Sequence, residues 1–141
     1  MKQLGCIATV LLLLTGCRLV PQPDLNVTVL GADFYYYDAY FSIVLKFQND
    51  GDGDAENINY NLQIFYDDIE LGIYDGADTV PSVVSAGETV SPIFIAGYSI
   101  YGWDYVITDS YRLTIDHRNP RGKSMTPIVI EGQFTDSWPG L

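Results

Sequence analysis

Three aspartates at alternate positions, Asp50, Asp52 and Asp54, sit in the run Asn49-Asp50-Gly51-Asp52-Gly53-Asp54, with Glu56 and Asn57 close behind. Calcium takes ~6–8 oxygen ligands, and closely spaced carboxylates supply them. Set against an EF-hand loop, the sixth position here is Ala55 rather than glycine, and the twelfth is Asn61 rather than glutamate. Asn61 also falls in a strand-like run, so the helix–loop–helix setting is missing. Two readings stay open: a calcium-assisted turn, or a Gly/Asp turn whose carboxylates are solvated. The second concentration of chemistry is aromatic, since 11 of the 141 residues are tyrosine. One group is Phe34-Tyr35-Tyr36-Tyr37 with Tyr40; another is Tyr98, Tyr101, Trp103 and Tyr105 in a glycine-bounded stretch. Such rings stack on sugars or serve as protein hot spots, because they bury large area and keep a polar tip. They also favour strands and fill sandwich cores. Tyr98, Tyr101, Trp103 and Tyr105 are therefore the binding candidates, whereas Tyr60 and Tyr111 are assigned to the core. Tyr111, following Asp109-Ser110, suits the corner tyrosine of immunoglobulin-like folds.

Catalysis finds little footing. His117 is the single histidine, between Asp116 and Arg118, and no Gly-x-Ser-x-Gly elbow is present. One histidine cannot build a two-histidine zinc site. No carboxylate pair stands out by spacing, so no enzymatic activity is expected, and His117 reads as a polar strand-end residue. Arg112, Arg118, Arg121 and Lys123 form a basic group that could receive an anionic partner; neutralisation of neighbouring aspartates is the preferred reading. Eighteen acidic residues against seven basic ones give a net charge of −11. That balance disfavours nucleic acid and anionic headgroups as partners and favours solubility.

The elements that must position these residues read almost entirely as strands. Phe41, Ile43, Leu45 and Phe47 alternate with polar or smaller residues, and Ile58, Tyr60, Leu62 and Ile64 alternate with Asn57, Asn59, Asn61 and Gln63. A period of two puts one face in a core and the other in water. Further runs lie at Leu25–Leu30, Ile69–Tyr74, Val90–Ala96, Tyr111–Asp116 and Pro127–Phe134. Turn residues separate them, as in Asp67-Asp68, Asp75-Gly76, Ser85-Ala86-Gly87-Glu88 and Asn119-Pro120-Arg121-Gly122. About seven short strands with this spacing predict an all-β, immunoglobulin-like antiparallel β-sandwich.

The start of the chain has another character. Lys2 precedes an apolar run from Ile7 to Leu14. As a helix those residues would cover about 12 Å, against ~30 Å of hydrocarbon in a bilayer. A short apolar run behind a positive charge is a secretory signal rather than a membrane span. Its end, Leu14-Thr15-Gly16-Cys17, resembles the lipobox of bacterial lipoproteins. The resemblance implies cleavage before Cys17, diacylglycerol on its thiol and a further acyl chain such as palmitate on the new amino terminus. Arg18 follows with no aspartate, which by the same resemblance favours the outer membrane, periplasmic side, of the bacterial cell envelope where the cell is Gram-negative. The expected organisation is a signal peptide over 1–16 and a lipidated cysteine and tether over 17–24. A single domain over 25–136 and a tail over 137–141 follow. Pro21 and Pro23 stiffen the tether. With Cys6 removed and Cys17 lipidated, the folded domain has no disulfide and no thiolate metal site, and no cofactor is expected beyond the calcium alternative.

Pro23-Asp24-Leu25, then Val44-Leu45-Lys46-Phe47-Gln48-Asn49-Asp50-Gly51 with Ala55, resembles the cell-adhesion-related CARDB domain. Ser85-Ala86-Gly87-Glu88-Thr89-Val90 and Tyr111-Arg112-Leu113-Thr114-Ile115-Asp116 extend the likeness to about Asn119. The resemblance implies a seven-stranded sandwich used for adhesion or binding, with no shared catalytic residues. Anchor and domain together lead to the expectation of a membrane-anchored, non-catalytic module for an envelope protein partner. The alternative is a glycan-binding or adhesive module using the loop aromatics, with or without calcium.

Overall fold

A computed structural model describes residues 20–35, 40–66, 69–76, 80–98 and 110–137. Among the described residues nine strands follow one another: β1 (Leu25–Tyr35), β2 (Tyr40–Asn49), β3 (Ala55–Tyr66), β4 (Ile69–Gly76), β5 (Val83–Val84), β6 (Thr89–Tyr98), β7 (Ser110–Arg118), β8 (Ile128–Gln133) and β9 (Thr135–Ser137). Seven of these are long; β5 and β9 are short additions. One sheet has the order β6-β2-β1-β9 and the other β4-β3-β7-β8, with β5 pairing the start of β3. Neighbouring strands are antiparallel except for β1 and β9, which run parallel. The third strand crosses to the second sheet while the first, second and sixth share the other. That is the immunoglobulin-type arrangement the alternation predicts.

Alternation explains the core. Phe41, Ile43, Leu45 and Phe47 of β2 point inward against Ile58, Tyr60, Leu62 and Ile64 of β3, with Leu113 and Ile115 of β7 and Ile95 of β6 beside them. The sandwich has two distinct ends. The lower end carries the start of β1, the turn 50–54 after β2, the turn 85–88 and the turn 119–123 after β7. The upper end carries the strand termini that flank 36–39, 67–68 and 99–109. The core closes at the upper end on Phe134, whose ring lies 5.1 Å from Tyr111, 6.3 Å from Phe41 and 6.5 Å from Phe34. Tyr111 is a core ring, as its pattern implies, and it lies so close over Gly132 that a Cβ there would run into it.

Several boundaries differ from the sequence pattern. β1 runs on to Tyr35, because a bulge between Val29 and Gly31 absorbs one residue and restores the inward phase at Ala32 and Phe34. Phe34 is thereby 1% exposed and belongs to the core rather than to an aromatic surface. β5 and β9 are too short for any periodicity to show.

Candidate functional site

The acidic turn is built around Asn49, a fully buried side chain. Its Oδ1 accepts the amides of Gly51 and Asp24, both at 3.0 Å, and its Nδ2 donates to the carbonyls of Gly53 at 2.8 Å and Val84 at 3.0 Å. All four hydrogen-bonding positions of one amide are thus used. The three aspartates then diverge. Asp50 accepts from Gln48 Nε2 at 2.8 Å and from Asn26 Nδ2 at 3.3 Å. Asp52 Oδ1 accepts the Gln22 amide at 2.8 Å, and Asp54 Oδ1 accepts the Ala86 amide at 2.9 Å. Among the described residues no group of three or more His, Cys, Asp or Glu side chains is gathered to hold a metal ion. The three carboxylates instead bond separate partners, Asp50 to Gln48 and Asn26, Asp52 to Gln22 and Asp54 to Ala86.

The other candidates fall differently. Cys17, Tyr101, Trp103 and Tyr105 lie outside the described residues, as do Tyr36 and Tyr37. Tyr98 ends β6 opposite Tyr40, and only its backbone is described. Tyr35 and Tyr40 face each other across the β1–β2 pair with ring centroids 5.9 Å apart. His117 is not a polar strand-end residue. The alternation of β7 turns it inward, to 6% exposure, and its Nδ1 is buried with no hydrogen-bond partner among the described residues. Loss of hydration pushes its pKa below the ordinary imidazole value, against a smaller upward pull from Asp116. His117 also borders a cleft of about 480 Å³ with Asn57, Asn59, Asp116 and Arg118. Burial likewise raises the Tyr111 phenol above its usual value.

The basic residues do not act as one group. Arg112 lies on the outer face of the second sheet, where its Nε meets Glu131 at 2.7 Å and its guanidinium sits 5.8 Å from the Phe65 ring. Arg118, six residues along β7 at the lower end, donates to the Gly122 carbonyl at 3.1 Å. For these two residues the partners are Glu131 and the Gly122 carbonyl rather than aspartates. Asn119, which the sequence did not single out, is 2% exposed and organises the lower turn, its Oδ1 accepting the amides of Arg121 at 3.0 Å and Lys123 at 2.9 Å.

One further surface was missed by pattern. On the outer face of the first sheet, Gly31 pairs with Val44 and Val44 with Phe94. The bulged Leu30, next to Gly31, and Phe94 are each 54% exposed. The outer face of the second sheet is mixed: Asn59 opposes Asp116, Asn61 opposes Thr114 and Gln63 opposes Arg112, with Val129 beside Thr114 and Phe65 under Arg112. The missed signal is the run Ile93-Phe94-Ile95, where both faces of a strand are apolar although one must meet solvent.

No family model matches the chain. No curated protein matches it either. Among solved structures it is similar to one described as ApaA from Bordetella pertussis, with a TM-score of 0.50, 15% identity, and coverage of 82% of this chain and 94% of that one. A β-glucosidase from Listeria innocua in complex with glucose gives a TM-score of 0.39 at 13% identity over 79% of this chain and 16% of that one. A Niemann-Pick type C2 protein from the Japanese carpenter ant gives 0.42 at 9% identity over 82% and 93%. The first of these likenesses concerns the fold alone.

Proposed function

We propose that this chain is a lipid-anchored protein of the bacterial envelope whose immunoglobulin-like domain binds a protein partner without catalysis. Cys17, in its lipobox setting, is the anchor. The observation that carries the binding reading is the outer face of the first sheet, where Leu30 and Phe94 stand more than half exposed on either side of Val44. Apolar side chains grouped on one face of a small anionic domain mark a protein contact. The CARDB resemblance of the sequence, which implies adhesion or binding, agrees with the same reading. Val129, 55% exposed on the opposite outer face, is flanked by polar Thr114 and forms no comparable group among the described residues.

The test places a photo-crosslinking amino acid at position 94 or at position 59 of the full-length protein in native membranes. A defined protein captured from position 94 and not from position 59 supports the reading. Equal capture from both faces, or none, contradicts it. The second reading, a glycan-binding or adhesive module, is favoured by the amide row Asn59, Asn61 and Gln63 beside Asp116 and Arg112. Binding of the purified domain to glycans, weakened by Asn61→Ala or by Trp103→Ala, would move the conclusion there.

A further inference from the structure

Residues 20–24, which follow the anchor position, belong to the folded domain. The Gln22 carbonyl accepts the amides of Asp52 and Gly53, both at 3.1 Å, and the Asp24 carbonyl accepts that of Asp50 at 3.0 Å. In return Gln22 donates its amide to Asp52 Oδ1, and Asp24 donates its own to Asn49 Oδ1. Asn119 Nδ2 reaches Gln22 Oε1 at 3.4 Å from the neighbouring turn. Packing is as close as bonding: a Cβ at Gly51 or Gly53 would overlap the backbone of residues 21–24. Pro21 and Pro23 fix φ through this stretch. The segment is a docked strap, not a spacer, and it enters the sandwich at the lower end in line with β1.

Val20 is three residues from Cys17. Fully extended, those residues span at most about 11 Å. We propose that the lower end of the sandwich, formed by the turns 50–54, 85–88 and 119–123, stands on the bilayer surface, held in that orientation by the docked strap. The inference rests on the lipidation of Cys17 proposed above. Asp24, Asp50, Asp52, Asp54 and Glu88 outnumber Arg118, Arg121 and Lys123 at this end, so the surface it fits is zwitterionic rather than anionic. The ten residues of β2 then lift the upper end ~30 Å above the lower one. The strand ends flanking 36–39 and 99–109, and the Leu30–Phe94 face, are held clear of the lipid for a partner.

The experiment uses the lipidated full-length protein, purified from membranes and reconstituted in phosphatidylcholine vesicles carrying a contact quencher on the headgroup. A fluorophore is placed on Arg121→Cys at the lower end or on Gln133→Cys at the upper end, both exposed positions. A third protein carries Arg121→Cys with a Gly/Ser insertion of eight residues after Arg18. Intact mass reports the acyl chains on Cys17 in each sample. With Cys17 acylated, quenching at position 121, none at 133, and loss of the contrast in the insertion variant is the expected result. Equal quenching at both positions on acylated protein, or a contrast that the insertion leaves intact, overturns the orientation while leaving the anchor standing. Unacylated Cys17 overturns the anchor reading, and the orientation with it.

Discussion

Removing the Asn49 side chain should unfasten the lower end of the domain. Its amide makes four hydrogen bonds of 2.8–3.0 Å at 0% exposure, to Asp24, Gly51, Gly53 and Val84. At ~0.5–1.5 kcal/mol net for each bond, Asn49→Ala should cost about 2–6 kcal/mol. That is a large share of the ~5–15 kcal/mol that holds an ordinary domain together. Asn49→Asp is the sharper perturbation, being nearly isosteric. It keeps the acceptor facing Asp24 and Gly51 but turns a carboxylate oxygen toward the Gly53 and Val84 carbonyls. Burial of an unpaired charge raises a carboxyl pKa, so the Asp variant should regain stability as pH falls and the group takes up a proton. Urea unfolding followed by far-UV circular dichroism measures both, with Asn59→Ala on the exposed face as a control expected within about 0.5 kcal/mol of the parent. A loss below ~1 kcal/mol for Asn49→Ala, or an Asp variant that weakens further on acidification, would refute the bond-by-bond reasoning.

His117 gives a pH dependence. Its folded pKa is lowered, so below the ordinary value of 6.5 the unfolded chain binds the proton first. Stability should therefore fall as pH drops from 6.5 toward the folded pKa, with a slope of up to ~1.4 kcal/mol per pH unit, and His117→Leu should flatten that limb in urea titrations at several pH values. Gly53→Ala should push the backbone of residues 21–22 off the turn and speed amide exchange at Asp52, whose bond to Gln22 would be lost. Phe94→Ser should cost about 1 kcal/mol or less in unfolding, because the ring is 54% exposed, yet abolish capture of a partner. Addition of millimolar calcium, or of a chelator, should leave the melting temperature where it was, since Asp50, Asp52 and Asp54 are each engaged by a different hydrogen-bond donor.

The sandwich was legible because its strands are half-buried, and a half-buried strand writes its geometry as a period of two. Phe41 to Phe47 and Ile58 to Ile64 announce both sheets and the direction in which each faces. What the pattern hides is anything that shifts phase or depends on distant partners. The bulge at Leu30 breaks the period, so the continuation of β1 to Phe34 does not show. The aspartates of the turn look like a ligand set, since spacing along a chain says nothing of direction, and in the fold they point to Asn26, Gln22 and Ala86. His117 sits between two charged residues and reads as exposed, but strand parity places it with Leu113 and Ile115 inside. Asn49 and Asn119 are invisible for a related reason. An asparagine in a turn is ordinary, and only the bonds made across the lower end distinguish these two.

The proposed anchor on Cys17 carries the most weight, because the proposed location, the partner's compartment and the standing orientation all depend on it. The intact mass of the protein extracted from its own membranes tests it directly, with Cys17→Ala grown in parallel and both fed labelled palmitate. The expected result is a chain that begins at Cys17, carries acyl mass and palmitate label, and loses both in the variant. A chain of unmodified mass, or a Cys17→Ala protein that is still labelled, would contradict the account.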